Sequence, residues 1–216
     1  MRKGLTSNIE TIIEAVSELE CIKPYVLVGG TALAMQLGHR LSEDLDFMMW
    51  RDSAEGKQEV DWPAIKKELE EKVASVDDVD ILGFNHVLFV VNGVKLSFYV
   101  SDKKCPVLTP IPYMGNIRLA DRDSILAMKL EVMLRRMKFR DYYDIYAIVK
   151  DGADLDAGID RALKYSGFKL RKKNVIALLL SGRFDVDRNF TQLSPKYDVK
   201  FESIREYLLN ELKSVR

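Results

Sequence analysis

Apolar residues recur at helical spacing in some stretches of this chain and alternate with polar residues in others. Ile9, Ile12, Ile13, Val16 and Leu19 lie one helical turn apart, so residues 8–20 are expected to form an amphipathic helix. Ser7 and Glu10 fit a capping box at its start. Tyr25–Val28 is a short solid apolar run, expected as a buried strand and closed by Gly29-Gly30. A second helix is expected over Thr31–Leu37, with Gly38 as its C-cap. Leu45–Trp50 follows as a second strand, and residues 51–60 are polar and loop-like. Asp61-Trp62-Pro63 begins a third helix, because proline is tolerated in a first helical turn, and Ile65, Leu69 and Val73 form its apolar stripe. His86–Val91 and Val94–Val100 flank Asn92-Gly93, a two-residue turn that predicts a hairpin. Residues 102–116 carry Pro106, Pro110 and Pro112 and are expected to be irregular. From Asp121 onward helices are expected near 122–139, 141–150, 157–166, 170–181 and 201–214. The fold class is therefore α+β, with an α/β core over 1–120 and a helical C-terminal domain over 121–216.

Composition narrows the setting more than the chemistry. The chain has 216 residues, and 33 Lys+Arg balance 33 Asp+Glu. That balance excludes a globally basic polyanion binder and leaves room for a local basic patch. No apolar run approaches the ~18 residues that span a bilayer, so no membrane is expected. The N-terminal residues lack the apolar core of a signal peptide. Cys21 and Cys105 form no CxxC pair, and a reducing cytoplasm is the expected location.

The chemistry concentrates between Val28 and Phe47. Asp44 and Asp46 are two residues apart at the entry to a strand, so alternation turns both carboxylates to one side while Leu45 and Phe47 turn into the core. Like charges held so close call for a cation between them. Mg²⁺ takes one or two carboxylates together with phosphate oxygens. Upstream, Gly29-Gly30 ends a strand and opens a helix, whose free N–H groups and positive dipole end suit phosphate. Thr31 adds a hydroxyl. Taken singly, these features are a tight turn and an exposed acidic loop. In this order they suit in-line attack on a nucleotide phosphate with metal assistance.

Gly29-Gly30-Thr31-Ala32-Leu33, His39-Arg40-x-Ser42-Glu43-Asp44-Leu45-Asp46-Phe47, Ala127-Met128-Lys129 and Arg140-Asp141-x-x-Asp144-Ile145-Tyr146 together resemble the AbiEii/AbiGii abortive-infection toxins. These are nucleotidyltransferases of the DNA polymerase beta-like superfamily. The resemblance covers residues 25–149. It implies a polymerase beta-like core with a mixed sheet, an NTP substrate, and Mg²⁺ or Mn²⁺ as cofactor. It also implies an acceptor such as tRNA or another RNA, and a separate antitoxin. By the same resemblance Asp44 and Asp46 are metal ligands, and Gly29, Gly30 and Thr31 contact the triphosphate. Lys129 contacts phosphate or nucleotide, and Asp144 is an acid of the second wall with Asp141 as the neighbouring candidate. Arg40, Ser42 and Arg140 are nucleotide-binding candidates.

One position departs from the superfamily pattern. A third carboxylate usually stands on an adjacent strand, and the matching run here is Lys95-Leu96-Ser97-Phe98. Alternation places Lys95, Ser97 and Tyr99 on one face, and the strand pairing that the resemblance implies puts a neutral Ser97 beside Asp46. Either the enzyme runs on two acids, or another carboxylate substitutes, or activity is weak, and the rival reading is a catalytically silent nucleotide-binding or partner-binding module. A small-molecule transferase of the antibiotic-modifying kind is disfavoured by Lys129 and Arg140-Asp141-x-x-Asp144.

In the helical half, Lys129, Arg136 and Arg140 fall within about 20° of one another on a continuous helix, which predicts one basic stripe. Tyr142, Tyr143 and Tyr146 are expected in the core or at its rim rather than as base-stacking platforms, and His39 at a helix end. Asp141 could cap a helix, whereas Asp144 has no capping use. Lys164–Lys173, with Tyr165 and Phe168, is either an RNA-backbone contact or an exposed loop and helix start. No role is expected for His86.

Overall fold

A computed structural model describes residues 2–50, 59–107, 109–166, 171–185 and 187–214. Helix α1 spans Ser7–Ser17 and buries Ile9, Ile12, Ile13 and Val16, the stripe its spacing predicts. Its N-cap is Thr6, without a side-chain cap bond, and the Glu10 carboxylate accepts instead from the backbone N–H of Arg2. The expected Ser7–Glu10 capping box is therefore replaced by a contact with the preceding segment. Strand β1 (Val26–Val28) runs directly into α2 (Gly29–Leu37), which Gly38 ends in the left-handed conformation at φ 60°. Strand β2 is Asp44–Trp50, and α3 is Trp62–Lys72, capped by the Asp61 carboxylate on the N–H of Ala64. Most of the expected loop over 51–60 lies outside the described residues.

Two strand pairs frame the sheet. Strand β3 (Val76–Gly83) lies antiparallel to β4 (His86–Val91), which turns through Asn92-Gly93 into β5 (Val94–Ser101). Both turn residues have positive φ, 49° and 70°, as an Asn-Gly hairpin requires. Strands β6 (Ile111–Met114) and β7 (Ile117–Leu119) form a second antiparallel pair within the expected irregular stretch. Pro112 is tolerated there because β6 is an edge strand with a register irregularity beside it. Strand β3 also lies at an edge, and Asp77, Asp78 and Asp80 are exposed, so its apolar periodicity is weak.

The sheet is mixed and seven-stranded, in the order β3-β4-β5-β2-β1-β7-β6. Strand β2 pairs antiparallel with β1 and parallel with β5. Leu45, Phe47, Leu96 and Phe98 are at most 2% exposed, and the Phe47 and Phe98 rings stack at 5.2 Å. Burying these side chains forces the opposite alternation, Asp44, Asp46 and Ser97, onto the other face.

Helices α4 (Arg122–Val132), α5 (Phe139–Lys150), α6 (Leu155–Ser166), α7 (Lys172–Leu180) and α8 (Phe201–Ser214) complete the chain. The expected single helix over 122–139 is broken after Val132. Lys138 is extended and bridges Asp185, whose N–H donates to the Met137 carbonyl. A tertiary contact thus interrupts a run that carries neither glycine nor proline. Helix α2 packs against both α4 and α5, which ties the sheet to the helices. Among the described residues, no helix is long and apolar enough to cross a membrane.

Candidate active site

Strand pairing decides what surrounds the acidic pair. Asp46 lies between Val28 of β1 and Ser97 of β5, and Asp44 lies beside Lys95. Because Val28 is the last residue of β1, the turn into α2 opens beside Asp46. Gly29 has φ 70°, and a Cβ there would sit 3.0 Å from Asp46 Oδ2. Positive φ and this close approach both favour glycine. A Cβ on Gly30 would fall 2.2 Å from Nη2 of Arg40, so the second glycine makes room for a guanidinium.

A cavity of about 260 Å³ lies between the sheet and α4, lined by Gly29, Gly30, Asp46 and Ser97 but not by Asp44, Lys95 or Arg40. Gly29, Gly30, Asp46, Ser97 and His86 form one side, and Met128, Lys129, Arg136 and Asp141 face them. Asp44 stands one pleat from Asp46 on the same strand face. Burial, then the Asp44 charge, pushes the Asp46 carboxyl up to about 6. Two carboxylates, with phosphate oxygens completing the shell, fit Mg²⁺, which dehydrates reluctantly and keeps waters or phosphate as ligands. Among the described residues no cluster of three or more acidic, His or Cys side chains could hold a metal ion.

Behind the cavity lies a closed network of charges. Lys129 Nζ is 2.8 Å from Asp141 Oδ1 and 2.7 Å from Asp144 Oδ2. Arg40 grips Asp144 with two donors, Nε at 2.7 Å and Nη2 at 2.9 Å. His39 Nε2 is 2.8 Å from Asp144 Oδ1. Burial opposes charge on all of them. For Asp144, Arg40 and Lys129 outweigh it and hold the carboxyl well below the usual range. For Lys129, Asp144 and Asp141 outweigh it and leave the ammonium raised. His39 has only one such partner, and burial lowers it, so it is neutral at pH 7.

The structure divides the sequence candidates. Asp46, Gly29, Gly30, Ser97, Lys129 and Asp141 meet at the cavity. Thr31 is 1% exposed, and its hydroxyl is spent on Ser42 Oγ at 2.8 Å and on the Asp44 carbonyl. Thr31 and Ser42 therefore anchor α2 to the start of β2 rather than facing the cavity. Arg40 and Asp144 neutralise each other in the interior. Asp141 is third in α5 and not its cap, and its Oδ2 is buried with no hydrogen-bond partner. Asp141, and not Asp144, is thus the helix acid on the cavity wall. The basic stripe does not form. Arg136 lies between α4 and α5 on the cavity, while Arg140 is bound to Asp187 at 2.5 and 3.1 Å.

His86 is the cavity residue that sequence reasoning passed over. Its Nε2 is 3.2 Å from Ser97 Oγ. The hairpin arithmetic contains the signal, because a two-residue turn at Asn92-Gly93 pairs Tyr99 with His86 and Ser97 with Leu88. Residues 86, 88, 97 and 99 must then share one face. Of the basic segment 164–173, Phe168 lies outside the described residues, Tyr165 is buried, and Lys172 pairs with Asp156 and Asp160.

Residues 12–208 match the family described as nucleotidyl transferase AbiEii toxin, type IV TA system. The chain belongs to this family. Membership makes it a nucleotidyltransferase-type toxin of a type IV toxin–antitoxin system, in agreement with the four sequence blocks. A curated relative, the uncharacterized protein aq_aa25 of Aquifex aeolicus (strain VF5), is 29% identical over 161 residues, 72% of each chain. Among solved structures, MenT4, the nucleotidyltransferase toxin Rv2826c of Mycobacterium tuberculosis H37Rv, superposes with a TM-score of 0.57. The match is at 17% identity and covers 88% of this chain and 76% of that one, which establishes a shared fold. JHP933 of Helicobacter pylori matches at 18% identity over 98% and 97% of the two chains, with a TM-score of 0.46.

Proposed function

We propose that this family member transfers an NMP from an NTP to the hydroxyl of an acceptor, RNA being the acceptor class tested first, with Mg²⁺ or Mn²⁺ bound by Asp44 and Asp46. One observation carries the reading. Two carboxylates share a face of the central strand β2, and the N-terminus of a nine-residue helix opens beside them. That places a cation site next to free backbone donors, the combination a metal–triphosphate needs.

The geometry supports the following roles. Gly29 and Gly30 offer backbone N–H groups to the β- and γ-phosphates. Lys129 has three donors, and two are committed to Asp141 and Asp144. The third turns to the phosphates and offsets charge that grows as the Pα–O bond breaks. Arg136 lines the cavity and adds a second positive charge. Asp144 and Arg40 keep Lys129 in place without touching substrate. The bound cation would polarise the α-phosphate and stabilise the departing pyrophosphate. Residues 1–120 supply the metal and phosphate contacts, and 121–216 close the cleft and supply Lys129. The reaction is assigned to the cytoplasm, and family membership implies an antitoxin partner encoded separately.

The test is incubation with each α-labelled NTP, Mg²⁺ and total cellular RNA. Label in RNA with one preferred NTP supports the reading, and label on protein moves the acceptor class to a side chain. Mg²⁺-dependent NTP binding with no labelled product supports the silent-module alternative, which Ser97 in place of an acid favours.

A further inference from the structure

We infer that Ser97 and His86 form a proton relay that takes over the task of the missing third carboxylate. This rests on the nucleotidyl-transfer reading above. Ser97 is paired in register with Asp46, so its hydroxyl stands beside the proposed metal ligand and opens to the cavity. A serine hydroxyl is a poor base by itself. Here its oxygen is 3.2 Å from His86 Nε2, and the His86 ring packs edge-on against Tyr99 at 5.4 Å. Nucleophile-side hydroxyl and imidazole within hydrogen-bond reach is the geometry general-base catalysis needs.

The charged and titratable groups around His86 come from β3, β5, β2, α4, the segment after α4, and α5. Asp80 on β3 favours a positive ring, and Tyr99 on β5 flanks it. Asp46 on β2, Lys129 on α4 and Asp141 on α5 line the same cavity, as does Arg136 after α4. Burial lowers the imidazole below its ordinary value, so it is neutral and able to accept a proton at pH 7. With the ring proton on Nδ1, the Ser97 hydroxyl donates to Nε2 and keeps its lone pairs toward the cavity.

In the step, the acceptor oxygen attacks the α-phosphorus. Its proton passes to Ser97 Oγ while the Ser97 proton passes to His86 Nε2. The new O–P bond forms, and the Pα–O bond to pyrophosphate breaks with its electron pair leaving on pyrophosphate. The imidazolium then returns its proton to solvent. Ser97 touches the acceptor, and His86 acts through it.

Single-turnover transfer from α-labelled NTP to total RNA tests the relay in the parent, His86→Gln, Ser97→Ala and His86→Gln/Ser97→Asp. Both single variants are expected to lose about 10²-fold in rate, with Mg²⁺–NTP affinity within twofold of the parent. The double variant is expected to recover most of that loss, because the carboxylate that Ser97→Asp introduces accepts the proton itself. Rates within threefold of the parent in His86→Gln and Ser97→Ala, with Asp46→Asn inactive, overturn the relay and leave the transfer reading standing. No Mg²⁺-dependent transfer in the parent overturns both. The chain has 2 histidines, so ¹⁵N-histidine spectra give an activity-free check. A bare Nε2 on His86 that shifts in Ser97→Ala is expected, and a protonated Nε2 at pH 7 contradicts the relay.

Discussion

Asp144 holds two buried cations, and its removal should be felt throughout the molecule. Replacing it with Asn leaves Arg40 and Lys129 without their shared counter-charge. Breaking a buried pair from one side costs roughly 3–5 kcal/mol. Denaturant unfolding at pH 7 should show a loss of that size in Asp144→Asn. The pH dependence has a definite sign. The folded carboxyl lies well below its ordinary value, so its stabilisation is complete above about pH 4, near the unfolded value. It is lost as pH falls below that. The parent should therefore lose stability between about pH 4 and lower values more steeply than Asp144→Asn, and equal slopes would contradict the assignment. The face that Asp46 and Ser97 share was legible from alternation, because Leu45, Phe47, Leu96 and Phe98 had to be buried, and the family resemblance supplied the pairing of their strands. The fate of Asp144 was not legible. Its partner Arg40 lies 104 residues away, and no local pattern connects them. Asp141 and Asp144 sit one turn apart on α5, and only the packing of α4 against α5 decides which one lines the cavity.

The turn between β1 and α2 is the element on which phosphate binding depends. Gly29→Ala places a Cβ at positive φ, which costs about 1–2 kcal/mol, and pushes on Asp46 Oδ2. The expected result is a modest drop in melting temperature with at least a tenfold loss of Mg²⁺-dependent NTP affinity, read by calorimetry. An unchanged affinity would remove the turn from the site. Gly30→Ala acts differently, because the Arg40 guanidinium cannot retreat without losing its two bonds to Asp144. It should cost about 1–3 kcal/mol of stability, the usual range for overpacking. Elements with strong periodicity, such as α1 and the Asn92-Gly93 hairpin, were plain in the sequence. Strands β3 and β6 were hidden because edge strands tolerate aspartate and proline. The break between α4 and α5 was hidden because its cause is the Lys138–Asp185 bridge.

At the scale of the molecule, the sheet brings together the acidic pair, the glycine turn and Ser97, and the helices add Lys129 and Asp141 from above. The four sequence blocks marked the family, and the match over 12–208 bears that out. The last strand ends at Leu119 and α4 begins at Arg122. The His86–Ser97 contact was implicit in the hairpin register but silent as a motif. The central claim is that Asp44 and Asp46 bind a divalent cation together with an NTP. Calorimetric titration of NTP with and without Mg²⁺, in the parent and in Asp46→Asn, tests it most directly. The account predicts that Mg²⁺ tightens NTP binding at least tenfold in the parent and has no effect in Asp46→Asn. An Mg²⁺ dependence equal in the two proteins would contradict it.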